Sequence, residues 1–263
     1  RTPPPPPAPT PVFSSQQEAL AVPRAAGPAP ALSSTPLYHT YPELSNMMTV
    51  TVSTPASGVA DGYVFLAGMG LMSSADPGLM IVDNSGEPLY LQPTAAGQFV
   101  TDFKRQVVNG MPYLTYYVGT PFGGWAYGAY YVMDQSYTIV DTWTIHDGRG
   151  ADEHDLLLLD NGHALLFTYV PVAADLSPYG GPAQGTIMDI YLEEQDAAKN
   201  VVFSWRASDH LPLTDTYMAL SESPLDYAHT NAVALDHDGN ILISSRNLSE
   251  ITKINRQTGE VMW

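Results

Sequence analysis

Cysteine is absent from the 263 residues, which removes disulfide frameworks, thiolate zinc sites and a cysteine nucleophile together. Bases are scarce: ten Lys and Arg against 27 Asp and Glu give a formal charge of 10 − 27 = −17. Phosphate backbones are held by clustered Lys and Arg, so a generic nucleic-acid binder is excluded, as is a polybasic membrane-surface module. No apolar run approaches the roughly 18–20 residues of a membrane span, and the row Tyr63–Met72 is short and broken by glycine. Nor does any segment sustain a helical period, Ser15–Ala21 being the one modest stretch. A hydrophobic share of 44% with 14% charged residues is the balance of a folded protein. A chain this long can bury a core without staples, so an oxidising compartment stays open. The first residue is Arg rather than Met, which reads as a processed or partial chain.

Proline is present but unevenly spread. Ten of the 23 prolines fall in residues 1–30, five of them consecutive from Pro3 to Pro7. Because proline fixes φ and cannot donate to a ladder, residues 1–36 are expected to be an extended linker or arm. Residues 37–263 then form the folded domain.

That domain reads as all-β. Short strand-like runs recur, each closed by a cluster of Asp, Asn and Gly. Leu79–Val82 precedes a turn with Gly86 and then Pro88–Gln92; Leu156–Leu159 precedes Gly162 and then Ala164–Val170; Val233–Leu235 precedes Gly239 and then Ile241–Ser244. Strand, polar turn and strand is a hairpin signature. The turn glycines are 162 − 86 = 76 and 239 − 162 = 77 residues apart. Halved, that interval is about 38 residues, near the roughly 40–50 of a propeller blade. Tyr113–Val118, Ala129–Met133, Tyr137–Trp143, Thr186–Leu192 and Val201–Trp205 supply further strands. The spacing favours a β-propeller over a sandwich or barrel, cut short in mid-strand at Met262-Trp263.

Three places gather polar groups beside strand starts. Asp152-Glu153-His154-Asp155 precedes Leu156–Leu159. Neighbouring strand residues point to opposite faces, so the four cannot all aim at one ion, and the expectation is a solvated acidic turn with no metal. In the second, His229 and Asn231 are two apart, which on an extended strand puts both on one side, where they could hydrogen-bond one oxyanion. The third is Ser244-Ser245-Arg246-Asn247, which a hairpin about Gly239 folds towards His229 and Asn231. Arg246 then either binds a compact anion such as sulfate or pairs structurally with Asp226 or Asp236. His146, His163 and His237 are expected to be exposed in turns, and Asp209-His210 to be a turn. The cluster Tyr113, Tyr116, Tyr117, Phe122, Trp125, Tyr127, Tyr130 and Tyr131 reads as sheet packing, with an aromatic-substrate pocket as the other reading. Asn247-Leu248-Ser249 is a weak N-glycosylation pattern.

The stretch from Asp226 to Trp263, above all His229-x-Asn231 followed by Ser244-Ser245-Arg246, resembles the PAPS-independent arylsulfotransferases. Upstream, Asp152-x-His154, Asn161-Gly162, Asp189 to Asp196, Phe203-x-Trp205 and Asp209-His210 extend the resemblance over residues 60–263. It implies a six-bladed β-propeller, incomplete here at its C-terminal end, and no cofactor. The implied reaction moves a sulfuryl group from a phenolic sulfate donor to a phenol acceptor through a sulfated histidine. His154, His229 and Arg246 match catalytic positions and Asn231 a substrate-binding one. Arg246 and Asn231 would stabilise the sulfuryl oxygens while the histidines handle the phenolic proton. The resemblance puts the nucleophilic histidine in a Gln-His motif beyond Trp263.

The alternative is a non-catalytic extracellular structural or filament-forming propeller that self-associates through its Pro-rich arm. A ligand-binding propeller is a third reading, resting on the aromatic cluster alone. The acidic, cysteine-free composition and the resemblance together suggest an exported protein, periplasmic, cell-surface or extracellular.

Overall fold

The computed structural model of the chain describes residues 50–68, 77–95 and 97–263. The extended arm expected at residues 1–36 and the modest helical candidate Ser15–Ala21 lie outside the described residues. The described part is all-β, with strands in four antiparallel sheets. The first sheet holds β1 (Tyr63–Gly68), β2 (Gly78–Asp83) and β3 (Pro88–Pro93). The second holds β4 (Phe99–Val108), β5 (Met111–Pro121), β6 (Ala126–Met133) and β7 (Ile139–Trp143). The third holds β8 (Leu156–Leu158), β9 (Ala164–Ala174), β10 (Gly185–Gln195) and β11 (Val201–Arg206). The fourth holds β12 (Thr230–Leu235), β13 (Ile241–Ser245) and β14 (Glu250–Ile254). In each sheet, neighbours in sequence are neighbours in space.

Five hairpins share one turn. Across Asp83–Glu87, Asp134–Thr138, Leu159–His163, Asp196–Asn200 and Asp236–Asn240, the first N–H donates to the fifth carbonyl and the fourth N–H to the first carbonyl. The fourth residue has positive φ every time: Gly86, Tyr137, Gly162, Lys199 and Gly239. Tyr137 and Lys199 tolerate it because an aspartate side chain clamps each turn. Asp134 Oδ1 accepts the N–H groups of Ser136 and Thr138, and Asp196 Oδ1 those of Ala198 and Asn200.

A count of glycines alone therefore misses turns, and the 38-residue unit is corrected. The interval from Gly86 to Gly162 steps over the whole second sheet, whereas that from Gly162 to Gly239 leads only from the third sheet to the fourth. The last three sheets begin at Phe99, Leu156 and Thr230, so they are 156 − 99 = 57 and 230 − 156 = 74 residues apart. The second step is longer because residues 207–229 form a connection with two 3-10 turns, Ala207–Asp209 and Leu213–Asp215. Tyr137 sits in a turn rather than in the strand expected from it. β4 was not foreseen because its polar run from Asp102 to Gln106 carries a bulge, with Asp102 at φ 47°, that breaks the alternation.

The sheets pack face to face in chain order. β5 buries both of its faces: Tyr116 lies with Leu79, Ile81 and Phe103, and its neighbour Tyr117 with Phe99, Trp143 and Leu166. Leu165, Phe167 and Ile190 of the third sheet meet Val233, Ile241 and Ile243 of the fourth. Each such side chain contributes roughly 1.5–3 kcal/mol by leaving water. The aromatic cluster splits accordingly. Tyr116, Tyr117, Tyr130 and Tyr131 are sheet packing, while Phe122 is half exposed.

The leading edge strands β4, β8 and β12 come together, and Asp155 ties them. Its Oδ1 accepts from Lys104 Nζ of β4 at 2.5 Å, and its Oδ2 accepts the Val233 N–H of β12 at 2.8 Å. Asp155→Ala leaves the Val233 N–H without its acceptor and removes one of the two carboxylates on Lys104, Asp102 remaining at 2.7 Å, and we expect a loss of about 1–3 kcal/mol. Urea unfolding should show it as a lower midpoint at unchanged slope.

Candidate active site

His154 lies two residues before β8 and His229 immediately before β12, so both follow from where the edge strands begin. The rings meet edge to face, with centroids 5.2 Å apart. Tyr169 of β9 closes a triangle with them, at 6.4 Å from His154 and 5.8 Å from His229, and Trp125 stacks on its other side at 5.7 Å. Tyr169 donates its hydroxyl proton to the Thr230 carbonyl, which fixes the ring beside His229.

Each histidine has its own carboxylate. His154 Nδ1 donates to Asp152 Oδ1 at 2.5 Å, and His229 Nδ1 to Asp226 Oδ2 at 2.5 Å. An ionised carboxylate can only accept, so Nδ1 carries the proton in both rings. Neither Nε2 has a protein partner among the described residues.

His229 does not lie on an extended strand. Its φ is +52°, a left-handed conformation that costs a non-glycine residue about 1–2 kcal/mol. Two backbone bonds hold it there, Arg246 N–H to the His229 carbonyl at 2.9 Å and Asn247 N–H to the Ala228 carbonyl at 3.0 Å. Asn231 falls at a bulge opposite Ser244 and Ser245. The alternation argument for one shared side therefore does not apply to this pair, although Asn231 stays within the same turn of chain.

Arg246 is exposed and opens a 3-10 turn, Arg246–Leu248. The structural pairing with Asp226 or Asp236 is not formed: Asp226 serves His229, and Asp236 accepts from Lys253 at 2.6 Å. Among the described residues no carboxylate lies within ion-pair distance of Arg246. Its Nε donates to Asn247 Oδ1 at 3.1 Å, and its charge is felt by both His154 and Tyr169. Asn247 is buried, and its Nδ2 donates to the Asp226 carbonyl at 2.6 Å. The glycosylation pattern is thus a structural link between Asp226 and Arg246.

The expected solvated acidic turn at 152–155 is corrected. Asp152 is 0% exposed and accepts the N–H groups of Ala126 and His154, both at 3.1 Å. These residues form a bend rather than a strand, so Asp152, Glu153 and His154 converge, with ligand atoms within 4.8 Å of one another, while Asp155 points to Lys104. Asp152 Oδ1 accepts from His154 Nδ1, whereas Glu153 Oε2 is buried with no hydrogen-bond partner among the described residues. Burial, followed by the charge and hydrogen bond of Asp152, pushes the Glu153 carboxyl up to about 8. For His154 burial works against the charged form, but Asp152 and Glu153 outweigh it and raise the ring above its ordinary value.

Both groups bind more protons in the folded chain than in the unfolded one. Stability is then fully present at low pH and is lost as the pH rises from about 4.5 through about 8. Glu153→Gln removes the larger contribution. Asp102, pushed up to about 7 by burial, loses stability over the same range and is kept in the variant, so thermal melts between pH 5 and pH 9 should fall for both and less steeply for the variant; parallel curves would contradict this.

The hairpin tip 122–125 covers His229, whose side chain is 2% exposed. A Cβ added to Gly124 would lie 3.0 Å from His229 Cε1. Gly124→Ala is expected to displace the ring by a few tenths of an ångström and to slow chemistry there about tenfold, measurable as a lower kcat at a nearly unchanged Tm.

The remaining predicted features lie elsewhere. His146 and His237 are exposed as expected, but His163 is partly buried and donates to Glu194 at 2.6 Å. His210 stacks on Trp205 beside the 3-10 turn at Ala207–Asp209. Two clefts, of about 500 and 530 Å³, are lined by Arg256 with residues of the third and fourth sheets, the second also by Val107 of β4, and contain none of the site residues. Sequence reasoning missed Tyr169 and Gly124, which carry no motif. Asp152 and Asp226 were in view as neighbours of the histidines, at Asp-x-His and Asp-x-x-His spacing.

The family model for arylsulfotransferases (ASST) matches residues 104–263, more than half of the chain. The chain belongs to the arylsulfotransferase family. The arylsulfotransferase match takes in His154, His229, Asn231, Arg246 and both aspartates, and leaves out the first sheet. No curated protein matches the chain. Among solved structures, the crystal structure of a protein of unknown function from Bacteroides caccae is similar, at 11% identity and a TM-score of 0.43. That similarity covers 78% of this chain and 57% of the other.

Proposed function

We propose that this arylsulfotransferase-family chain moves a sulfuryl group from a phenolic sulfate ester to a phenol, on a β-propeller whose successive blades are the four sheets. The meeting of β4, β8 and β12 at their leading edges supports the blade arrangement. The observation that carries the function is the grouping of two carboxylate-bound imidazoles with an unpaired guanidinium.

In the transfer, the bond from sulfur to the aryl oxygen breaks and a bond from sulfur to the incoming nucleophile forms. The sulfuryl group is then most anionic on its equatorial oxygens, where Arg246 and Asn231 supply donors. His154, the ring raised in basicity, donates a proton to the departing phenolate oxygen. His229, neutral at Nε2, accepts the proton of the phenol that attacks next. The family's covalent carrier belongs to the Gln-His motif, which does not occur in these 263 residues.

The test uses the full-length protein with 4-nitrophenyl sulfate and phenol. Release of nitrophenol matched by phenyl sulfate is expected. No release with any phenolic acceptor would overturn the reading.

A further inference from the structure

The two carboxylates behind the histidines are built differently, and that difference reaches further than the roles given above. Asp152 is fully enclosed and shares its charge among two backbone N–H groups and His154 Nδ1. Asp226 has His229 as the donor to its Oδ2, while its Oδ1 is buried without a partner. A carboxylate spread over several donors is a weak acceptor for each of them, whereas one with a single donor concentrates its charge on that bond.

We propose that Asp152 and Asp226 are positioning residues of the transfer reaction, each holding one imidazole in the Nδ1-protonated tautomer so that Nε2 faces the sulfuryl group. The assignment rests on the sulfotransferase reading for its catalytic meaning, but the tautomers follow from geometry alone. Asp226 has the larger effect of the two, because its charge is undivided and because the ring it holds belongs to a residue strained at φ +52°. Asp226 is itself held by the Asn247 Nδ2 bond to its carbonyl, so the strap from Arg246 through Asn247 to Asp226 links the guanidinium to the second ring. The charged and titratable groups facing His154 are Asp152, Glu153, Arg246, Tyr169 and His229, and those facing His229 are Asp226, Tyr169 and His154. His229 has no acid equivalent to Glu153 beside it.

Asparagine in place of Asp226 presents an amide that donates to Nδ1 and drives the proton to Nε2, the wrong nitrogen for accepting a phenolic proton, and in place of Asp152 it removes the negative charge that favours the doubly protonated, proton-donating form of His154. The same change in a Ser-His-Asp triad costs about 10⁴ in kcat for this reason. Asp226→Asn is expected to lower kcat by about 10³-fold and Asp152→Asn by about 10²-fold, both with little change in KM.

The decisive readout is the tautomer, followed by ¹⁵N NMR of full-length protein labelled at histidine, with signals assigned through His154→Gln and His229→Gln. At a pH where the rings have lost their second proton, both should keep the remaining one on Nδ1 in the wild type, and each Asn variant should convert its own ring to the Nε2-protonated form. Asp226→Glu should recover the wild-type tautomer and part of the rate. Wild-type rings protonated at Nε2, or Asn variants that transfer at the wild-type kcat, would overturn the proposal. Should the variant at the fully enclosed Asp152 unfold, the wild-type tautomer and the partly buried Asp226 position decide the matter. The predicted tautomers in a wild type that transfers no sulfate would uphold the pairing and defeat the sulfotransferase reading instead.

Discussion

Asparagine at position 229 is expected to lower sulfuryl transfer about 10³-fold while the protein stays folded. The expectation combines two features of the site. His229 is left-handed, and asparagine is among the few side chains that accept φ near +50° without added strain, so the backbone bonds from Arg246 and Asn247 survive. Asparagine nevertheless has no group that can take up a phenolic proton. The loss should therefore fall on kcat, with the melting temperature within a few degrees of the wild type. Steady-state kinetics alongside a thermal melt would check both halves. His229→Ala is a poorer test, because it leaves a buried void beside Tyr169 and mixes folding with chemistry.

Arg246 offers the cleaner separation. Among the described residues its guanidinium forms no ion pair, and its one side-chain bond is the 3.1 Å contact from Nε to Asn247. Its removal should therefore cost little stability. In transfer its donors would face oxygens whose charge grows at the transition state, where a lost donor costs about 10²–10³ in rate. Arg246→Ala is expected at that level. Arg246→Lys should recover only part of the rate, because an ammonium keeps the charge but not the planar fork. Raised salt should weaken donor binding to the wild type and affect Arg246→Ala less. A destabilised Arg246→Ala with normal kinetics would reverse the assignment and make the arginine structural.

The histidines, Arg246 and the hairpin that joins them were legible because they sit at strand boundaries marked by polar turns. The glycine spacing misled for a physical reason. An Asx clamp lets Tyr137 and Lys199 occupy the turn position that glycine takes elsewhere, so a period counted on glycine skips sheets. The bulged strand β4 escaped because alternation is its only signal and Asp102 interrupts it. The acidic run at 152–155 looked solvated because adjacent charges usually are. Its enclosure depends on the Ala126 N–H, which arrives from 26 residues away and leaves no local trace. Tyr169 lies inside the run Ala164–Val170 with no motif to mark it, and only the fold of the third sheet against β12 sets it beside the two rings.

The central claim is that two imidazoles and one guanidinium address a single tetrahedral anion. A crystal structure of the full-length protein soaked with inorganic sulfate tests it most directly. The account predicts sulfate within hydrogen-bond distance of the Arg246 guanidinium and of a protonated His154 Nε2, with His229 Nε2 facing the same cavity. Sulfate bound elsewhere, with either Nε2 turned onto a protein acceptor, would contradict it.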